Sequence, residues 1–288
     1  MIIYYSLTIL SVCMETVKNV FSNMYSKDHV QKDRDIYLFN IYMYAGAFAV
    51  MAILWFFQPC TLSWGSILLA FIYALTIGGM QTTLLRALRH GPMSYVNFIQ
   101  TSSFLIPALF GVACLGQSVS VRQLIALPIL LISFTLVMDL KKEKADGMWL
   151  GDAVSSMICC GLVGVVQSVH QASAWNQEQN SFLTVSFLFV ILINAISMML
   201  CPNAKEHKNS SGTKIVLPGL SGVLFCVVNA LNLFLIGVMP NVIFFPTVNG
   251  GFLITSMLAA VCLFHEPLNC KQWVGILICF ISMCMIGL

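Results

Sequence analysis

Two opposite charges lie within the first apolar segment of the sequence and are the residues best suited to chemistry. Glu15 and Lys18 are three positions apart, so on an α-helix they share one face. A charge at mid-membrane costs about 2.5–3.5 kcal/mol on insertion scales, and such residues commonly serve a function. Glu15 can accept a proton or a cation, and Lys18 can bind an anionic group. The alternatives are an internal salt bridge or a Lys18 side chain that extends to the membrane interface.

Amide side chains in other apolar segments extend this polar pattern. Gln100 and Asn249 occupy matching positions in two similar stretches, and amides bind polar groups at modest desolvation cost. The alternative is that they form hydrogen bonds between helices. We predict that a substrate-binding cavity is lined by polar residues of these segments. The predicted residues are Glu15, Lys18, Asn19, Gln81, Tyr95, Asn97, Gln100, Gln167, Asn229, Asn232 and Asn249.

The segments that carry these residues must be helices in a membrane. The sequence is 59% hydrophobic and 9% charged, with a mean hydropathy of +0.89, whereas soluble domains have about 25% charged residues. A helix needs about 20 apolar residues to cross a bilayer, and ten such segments fill the chain. We predict an all-α polytopic membrane protein with ten transmembrane helices. The predicted spans are 2–24, 37–57, 64–89, 93–114, 121–140, 149–171, 182–201, 215–238, 242–264 and 270–288.

The remaining composition indicates no cofactor, metal or nucleic-acid partner. The eleven cysteines are scattered without a CxxC pair, and cysteines in apolar runs act as small hydrophobic residues. The net charge of +3 comes from connectors. The start of the sequence lacks a basic region and a cleavage site, so we expect it to be a retained helix rather than a signal peptide. No catalytic or metal-ligating cluster is predicted.

A helix–break–helix stretch, Phe245 to Gly275, has a weaker copy in the first half of the chain. In the copy Gln100 stands where Asn249 does, and Ala126 where Gly275 does. Two further pairs match polar positions: Gln117 with Glu266, and Gln123 with Gln272. We therefore predict two halves, 1–144 and 145–288, each of five helices. An odd number of helices per half gives the two repeats opposite orientations, as in many carriers.

The distribution of Lys and Arg predicts the orientation. Positive connectors stay on the cytoplasmic side. Alternate connectors carry nearly all of these residues, while the others contain Arg122 alone, so we expect both termini outside and the linker between the halves inside. The residues in the positive connectors are Lys27, Lys32, Arg34, Arg86, Arg89, Lys141, Lys142, Lys144, Lys205, Lys208, Lys214 and Lys271.

The sequence resembles the drug/metabolite transporter superfamily, in particular its EamA-type ten-helix members. The resemblance rests on Glu266 followed by Gln272 and Gly275, on the preceding run from Phe245 to Gly251, and on the run from Ala87 to Pro92. Gln117 and Ala126 stand where the family pattern has Glu and Gly. The resemblance implies a five-plus-five inverted repeat in which the fifth and tenth helices lie outside a central cavity. It also implies movement of small metabolites or drugs by alternating access.

These observations favour a secondary active transporter of small polar or amphipathic metabolites or drugs. No Walker motif occurs, so ATP is not the direct energy source, and coupling would come from a proton, an exchanged solute or the substrate gradient. Glu15 is the best titratable candidate for proton coupling. Lys18 slightly favours substrates with an anionic group. We expect a monomer or homodimer in the cell membrane.

Two other classes of function are weighed against a carrier. A membrane-embedded enzyme that acts on lipids or isoprenoids is the alternative, but such chemistry needs clustered His, Asp, Glu or Cys at one interface. A channel would need symmetric polar rings or a filter sequence. The polar residues differ between the halves, since Cys160 stands near the position equivalent to Glu15. We therefore do not expect a channel. We do not expect enzymatic activity either, because the sequence shows no such cluster of reactive residues.

Overall fold

The computed structural model describes residues 2–30, 32–57, 61–91, 93–137, 147–201, 213–264 and 268–287. These residues are almost entirely helical and contain no strand. The predicted boundary after residue 144 and the motif residue Glu266 lie outside this part of the chain. The helices are α1 Ile2–His29, α2 Asp33–Phe57, α3 Trp64–His90, α4 Met93–Thr101, α5 Leu105–Ala113, α6 Val121–Val137, α7 Gly147–Ala172, α8 Gln179–Leu200, α9 Thr213–Val238, α10 Asn241–Phe264 and α11 Cys270–Gly287.

Seven stretches among the described residues are long and apolar enough to cross a membrane. The all-helical, polytopic membrane class predicted from the composition is therefore confirmed. Two further apolar helices, α6 and α11, are shorter, and α1 is longer but more polar, so the count of ten spans stays a prediction. The seven stretches are Asp33–Phe57, Trp64–His90, Tyr95–Ala113, Trp149–Ala172, Asn176–Leu200, Ile215–Val238 and Asn241–Leu263.

Local sequence signals explain where these helices begin and bend. Ser63 is the N-cap of α3, and its hydroxyl accepts a hydrogen bond from the Ser66 N–H at 3.3 Å, which satisfies an otherwise unpaired helix-end donor. Between α4 and α5 the chain forms one 3-10 turn, Ser102–Phe104. Pro107 follows it, and a proline cannot donate to the carbonyl four residues earlier. The proline therefore favours the break between α4 and α5.

The paired glutamines of the sequence repeat have one structural role. At the start of α6 the Ser120 N–H donates to Gln123 Oε1 at 3.0 Å, and the Gln123 N–H donates to Ser120 Oγ at 3.3 Å. At the start of α11 Asn269 and Gln272 exchange the same two bonds, each at 2.9 Å. Both pairs are capping boxes, in which the first and fourth residues satisfy each other's backbone N–H. Gln123 and Gln272 therefore determine where α6 and α11 begin.

The helices pack in a pattern that mixes the two ends of the sequence. α3 packs on α7 and α1 on α9, while α2 contacts both α8 and α9 and α3 also contacts α8. α10 contacts α1 and α5, and α5 and α4 contact α7. α6 and α11 pack chiefly on each other. Two large hydrophobic cores result, one centred on α2, α3, α8 and α9 and the other on α6, α10, α11 and the end of α9.

The crossing of α2 and α9 depends on glycine. A Cβ atom at Gly222 would lie 1.9 Å from the carbonyl oxygen of Met43, and one at Gly46 would lie 2.7 Å from the carbonyl oxygen of Gly219. Both neighbours are backbone atoms that cannot move aside independently. Small residues allow helix backbones to approach closely where no hydrophobic effect drives helices together. These glycines therefore bring α9, which carries several candidate site residues, close to α2.

Candidate functional site

A cavity of about 120 Å³ lies between helices from both ends of the sequence. α1, α3, α4, α5, α7, α9 and α10 contribute to its wall, whereas no described residue of α2, α6, α8 or α11 does. The lining residues are Glu15, Ile77, Met80, Gln100, Thr101, Ser103, Phe104, Pro107, Cys160, Val163, Gly164, Gln167, Phe225, Val228, Asn229, Asn232, Phe244, Phe245, Val248, Asn249 and Phe252.

The charged pair of α1 contributes Glu15 to the wall of this cavity. Lys18 Nζ donates to Glu15 Oε1 at 2.6 Å. The Lys18 side chain is only 3% exposed and the Glu15 side chain 25% exposed. An extension of Lys18 to the membrane interface is therefore excluded, and the two residues form an internal ion pair. Glu15 lines the cavity, and Lys18 is not among the described residues that do.

Five phenylalanine rings surround the polar part of the cavity. Phe225 also contacts the ion pair, since Lys18 Nζ lies 5.2 Å from its ring centroid. This distance is within the range of a cation–π interaction. Phe225 therefore stabilises Lys18 on one side while lining the cavity. The five rings are Phe104, Phe225, Phe244, Phe245 and Phe252.

Three predicted amides contribute polar atoms to the cavity. Asn232 Oδ1 accepts from Ser11 Oγ at 2.6 Å, which ties α9 to α1. Asn249 Nδ2 donates to the Phe245 carbonyl at 2.9 Å. Gln100 lines the cavity and forms no hydrogen bond with any described residue. Gln100, the Oδ1 atom of Asn249 and the Nδ2 atom of Asn232 are thus able to bond a solute.

A second polar group joins three helices across the bundle. Tyr73 on α3 donates its hydroxyl to Asn229 Oδ1 on α9. Gln167 Nε2 on α7 donates to Tyr73 Oη at 3.1 Å and to Asn229 Oδ1 at 3.3 Å. Asn229 Nδ2 in turn donates to the Phe225 carbonyl at 2.8 Å. Gln167 and Asn229 line the cavity while holding its wall together.

Besides Lys18, four predicted site residues are not part of the described cavity wall. Asn19, Gln81 and Asn97 are buried in α1, α3 and α4. The Asn19 Nδ2, both amide atoms of Gln81 and the Asn97 Oδ1 have no partner among the described residues. Tyr95 packs against Trp149, with ring centroids 6.3 Å apart. The structure therefore groups Glu15, Gln100, Gln167, Asn229, Asn232 and Asn249 around the cavity and leaves these four, with Lys18, outside the wall.

The five phenylalanines of the cavity wall and the hydrogen-bonding role of Tyr73 were not predicted from the sequence. Phenylalanine in an apolar helix gives the same signal whether it faces lipid, core or cavity, so periodicity could not distinguish these rings. Tyr73 lies in an apolar run, and only its hydrogen bonds to Asn229 and Gln167 reveal its role. The one available signal was Phe245, which is part of the motif stretch.

One end of the bundle contains a different carboxylate, outside the cavity wall. Glu178 precedes α8, and its Oε2 accepts from the Ser63 N–H at 3.0 Å and the Ser63 hydroxyl at 2.9 Å. At the same end Gln117 Oε1 accepts from the Asn241 N–H at 2.8 Å, and Asn241 Nδ2 donates to Ser168 Oγ at 2.9 Å. This end, here called the α8 end, is therefore closed by hydrogen bonds between elements from both parts of the chain.

The cavity has the composition of a small-molecule binding site. Among its described lining residues, Glu15 is the one carboxylic acid and Cys160 the one thiol. Within the described part of the chain no group of three or more His, Cys, Asp or Glu residues is placed to hold a metal ion. A mostly apolar cavity with a few directed polar groups is typical of sites that bind a small molecule.

Comparison with known proteins identifies the fold without a family. No protein-family model matches the sequence, and no curated protein matches it. Among 28 solved chains with a similar structure, one crystal structure superposes with a TM-score of 0.72. The match covers 98% of this chain and 94% of that chain at 10% sequence identity. At that identity the likeness shows a shared fold over nearly the whole chain and nothing of the activity.

Proposed function

We propose that this protein is a secondary active transporter that moves small polar or amphipathic metabolites or drugs across the cell membrane by alternating access. The observation that carries the proposal is the cavity wall itself. A carboxylate and five amides face a common space at the centre of an otherwise apolar bundle. Polar groups at membrane depth are tolerated where they line a water-filled cavity. Carriers of this kind bind their substrate between two repeats near the middle of the membrane.

The packing of the helices supports the five-plus-five inverted repeat. A twofold axis between the halves would exchange α1 with α7, α2 with α8, α3 with α9, α4 and α5 with α10, and α6 with α11. Under this exchange the α3–α7 contact becomes α9–α1, and α2–α9 becomes α8–α3. All four contacts occur, and the α2–α8 and α6–α11 contacts map onto themselves. The matching capping boxes of α6 and α11 agree with the same relation.

The symmetry also favours a carrier over the alternatives. The helices that line the cavity form exchanged pairs, while α6 and α11 contribute nothing described to the wall, as the drug/metabolite transporter resemblance implies. A rocking motion of one half against the other would expose the cavity to each side in turn. A membrane-embedded enzyme for lipids or isoprenoids is the alternative, and no observation favours it. We also propose that transport is coupled to a proton or to an exchanged solute, and that the protein is a monomer or a homodimer.

Cysteine accessibility tests the carrier without knowledge of its substrate. In a cysteine-free background, Gln100→Cys and Asn232→Cys would each introduce one thiol into the cavity wall. We expect a membrane-impermeant methanethiosulfonate reagent to label both thiols in proteoliposomes from either side, because alternating access opens one cavity in two directions. The readout is the labelled fraction measured by mass spectrometry with reagent on one side only.

The control is Ala74→Cys, which places a thiol on α3 at a fully buried position of the hydrophobic core. We expect no labelling of this thiol from either side. Labelling of the cavity thiols from one side only would contradict alternating access. If the reagent labels neither thiol from either side, the cavity is not open to water and the carrier proposal is wrong.

A further inference from the structure

We propose that the cavity binds a small organic cation, specifically a protonated amine joined to an apolar or aromatic body. This inference names the substrate class of the proposed carrier and rests on that function. It reverses the preference for anionic substrates that Lys18 suggested in the sequence. Three independent features of the cavity support it: the orientation of the ion pair, the unpaired hydrogen-bonding atoms and the aromatic wall.

The ion pair presents its negative end to the cavity. Glu15 lines the cavity and its side chain is 25% exposed, while the Lys18 side chain is 3% exposed and does not reach the described wall. Lys18 engages Glu15 Oε1, and Glu15 Oε2 has no partner among the described residues. The pair has no net charge, but a solute in the cavity is closer to the carboxylate than to the ammonium. At low dielectric such an oriented pair attracts cations.

The amides of the wall leave two carbonyl oxygens open to a solute. Asn249 uses its Nδ2 on a backbone carbonyl, and Gln167 uses its Nε2 on Tyr73 and Asn229. The carbonyl oxygens of both side chains are left without a described partner. Asn232 offers its Nδ2, and Gln100 can offer either group. A ligand with N–H donors can therefore bond the free oxygens of Asn249 and Gln167.

The apolar part of the wall suits an ammonium group attached to an aromatic or aliphatic body. Five phenylalanine rings line the cavity, and aromatic rings attract cations through their quadrupoles. Phe225 already contacts one ammonium, that of Lys18, at 5.2 Å. An anion would find neither Lys, Arg nor His among the described lining residues. It would also lie close to the Glu15 carboxylate, which is unfavourable in a cavity of this size.

A series of three ligands with the same phenylalkyl frame tests the charge preference. Phenethylammonium, 2-phenylethanol and 3-phenylpropionate would be titrated into the purified full-length protein in detergent at pH 7, with binding measured by calorimetry. We expect phenethylammonium to bind at least 10-fold more tightly than either of the others, because only it can engage Glu15. Tighter binding of 3-phenylpropionate or of the alcohol, or binding of none of the three, would overturn the inference.

Two substitutions in the ion pair act in opposite directions. Glu15→Gln should weaken phenethylammonium binding about 10-fold, since the carboxylate is its charged partner. Lys18→Met should strengthen it several-fold, because the carboxylate loses its resident cation. Weaker binding of phenethylammonium to Lys18→Met would overturn the inference, since it would show that the ligand does not compete with Lys18 for the Glu15 carboxylate. If Glu15→Gln does not fold, Asn249→Leu removes a free acceptor, keeps the ion pair intact and should weaken binding about 3-fold.

The matched control is Asp33→Asn, which also removes one carboxylate charge from an ion pair. Asp33 pairs with Arg86 at 2.8 Å on partly exposed side chains, and neither residue lines the cavity. Phenethylammonium binding to Asp33→Asn should be unchanged, and an equal loss there would mean that net charge alone governs binding. A negative result in the ligand-binding experiments is distinct from a negative result in the cysteine-labelling test of the carrier proposal. If phenethylammonium binds but the cavity thiols are not labelled from both sides, the inferred ligand class stands and the proposed transport function is wrong.

Discussion

Both glutamates in the described part of the chain are largely buried, and their surroundings give them different roles. Glu15 lies in the middle of α1 and pairs with Lys18 of the same helix at 2.6 Å. Glu178 lies before α8, is 8% exposed, and accepts two hydrogen bonds from Ser63, the N-cap of α3. Glu15 keeps one oxygen without a described partner, facing the cavity. Glu178 is bound to a helix start from a distant part of the sequence.

A buried carboxylate is available for binding only when an unpaired oxygen also faces a cavity. Both hydrogen bonds from Ser63 end on Glu178 Oε2, and Glu178 is not among the described residues of the cavity wall, whereas Glu15 is. A carboxylate at a helix N-terminus is stabilised by the backbone N–H groups and the helix dipole, and this holds Glu178 in a structural contact. An ion pair within one helix needs no other element, so Glu15 keeps its partner while it faces the cavity. We therefore expect substitutions of Glu178 to lower stability alone, and substitutions of Glu15 to lower stability and alter binding.

The largest effect is expected for Glu15→Ala. Removing one partner of a buried ion pair leaves an uncompensated charge and costs about 3–5 kcal/mol, and the partial exposure of Glu15 places the expected loss near the lower limit. Adding Lys18→Met should restore most of the stability, because no charge then remains buried. The measurement is the free energy of unfolding in mixed micelles. If the double variant is as unstable as Glu15→Ala, the unpaired Lys18 charge is not the cause of the loss of stability.

A smaller loss is expected for Glu178→Ala, about 2 kcal/mol, because two charge-assisted hydrogen bonds to Ser63 disappear. Glu178→Gln keeps an accepting oxygen and should lose about half as much. The same unfolding measurement applies, together with calorimetric binding of phenethylammonium, which should not change. A change of binding equal to that of Glu15→Gln would break the distinction between the two carboxylates.

Ser63→Ala should cost about 1 kcal/mol, since it removes the N-cap hydroxyl of α3 and one bond to Glu178. The Ser63 N–H remains able to donate to Glu178. In a double-mutant cycle with Glu178→Ala we expect a coupling of about 1 kcal/mol. Additive effects of the two substitutions would show that the hydroxyl and the carboxylate do not interact in solution.

The smallest effect is expected for the other described ion pair, Arg86 with Asp33. Their side chains are 32% and 45% exposed, and pairs open to solvent contribute about 0–1 kcal/mol. Asp33→Asn should therefore change the unfolding free energy by about 0.5 kcal/mol or less. A loss comparable to that of Glu15→Ala would mean that burial does not determine how much each ion pair contributes to the unfolding free energy.

The sequence predicted the helices well because apolar length is a local signal. The predicted spans agree with the helix bounds to within about five residues over the described part of the chain, except that the span 93–114 is divided into α4 and α5. The capping roles of Ser63, Gln123 and Gln272 were not predicted. Six predicted residues line the cavity. Asn19, Gln81 and Asn97 do not, although they give the same signal, because a polar residue in an apolar helix is equally compatible with a cavity and with a buried interface.

The sequence by itself determined that the chain is a helical membrane protein with polar residues at membrane depth, because both properties follow from composition and spacing. The tertiary structure decided which of those residues share a cavity, because that depends on contacts such as α3 with α7 and α1 with α9. It also decided that Glu15 faces the cavity and Lys18 does not. Two charges on one helix face carry no information about which lies closer to a space formed by other helices.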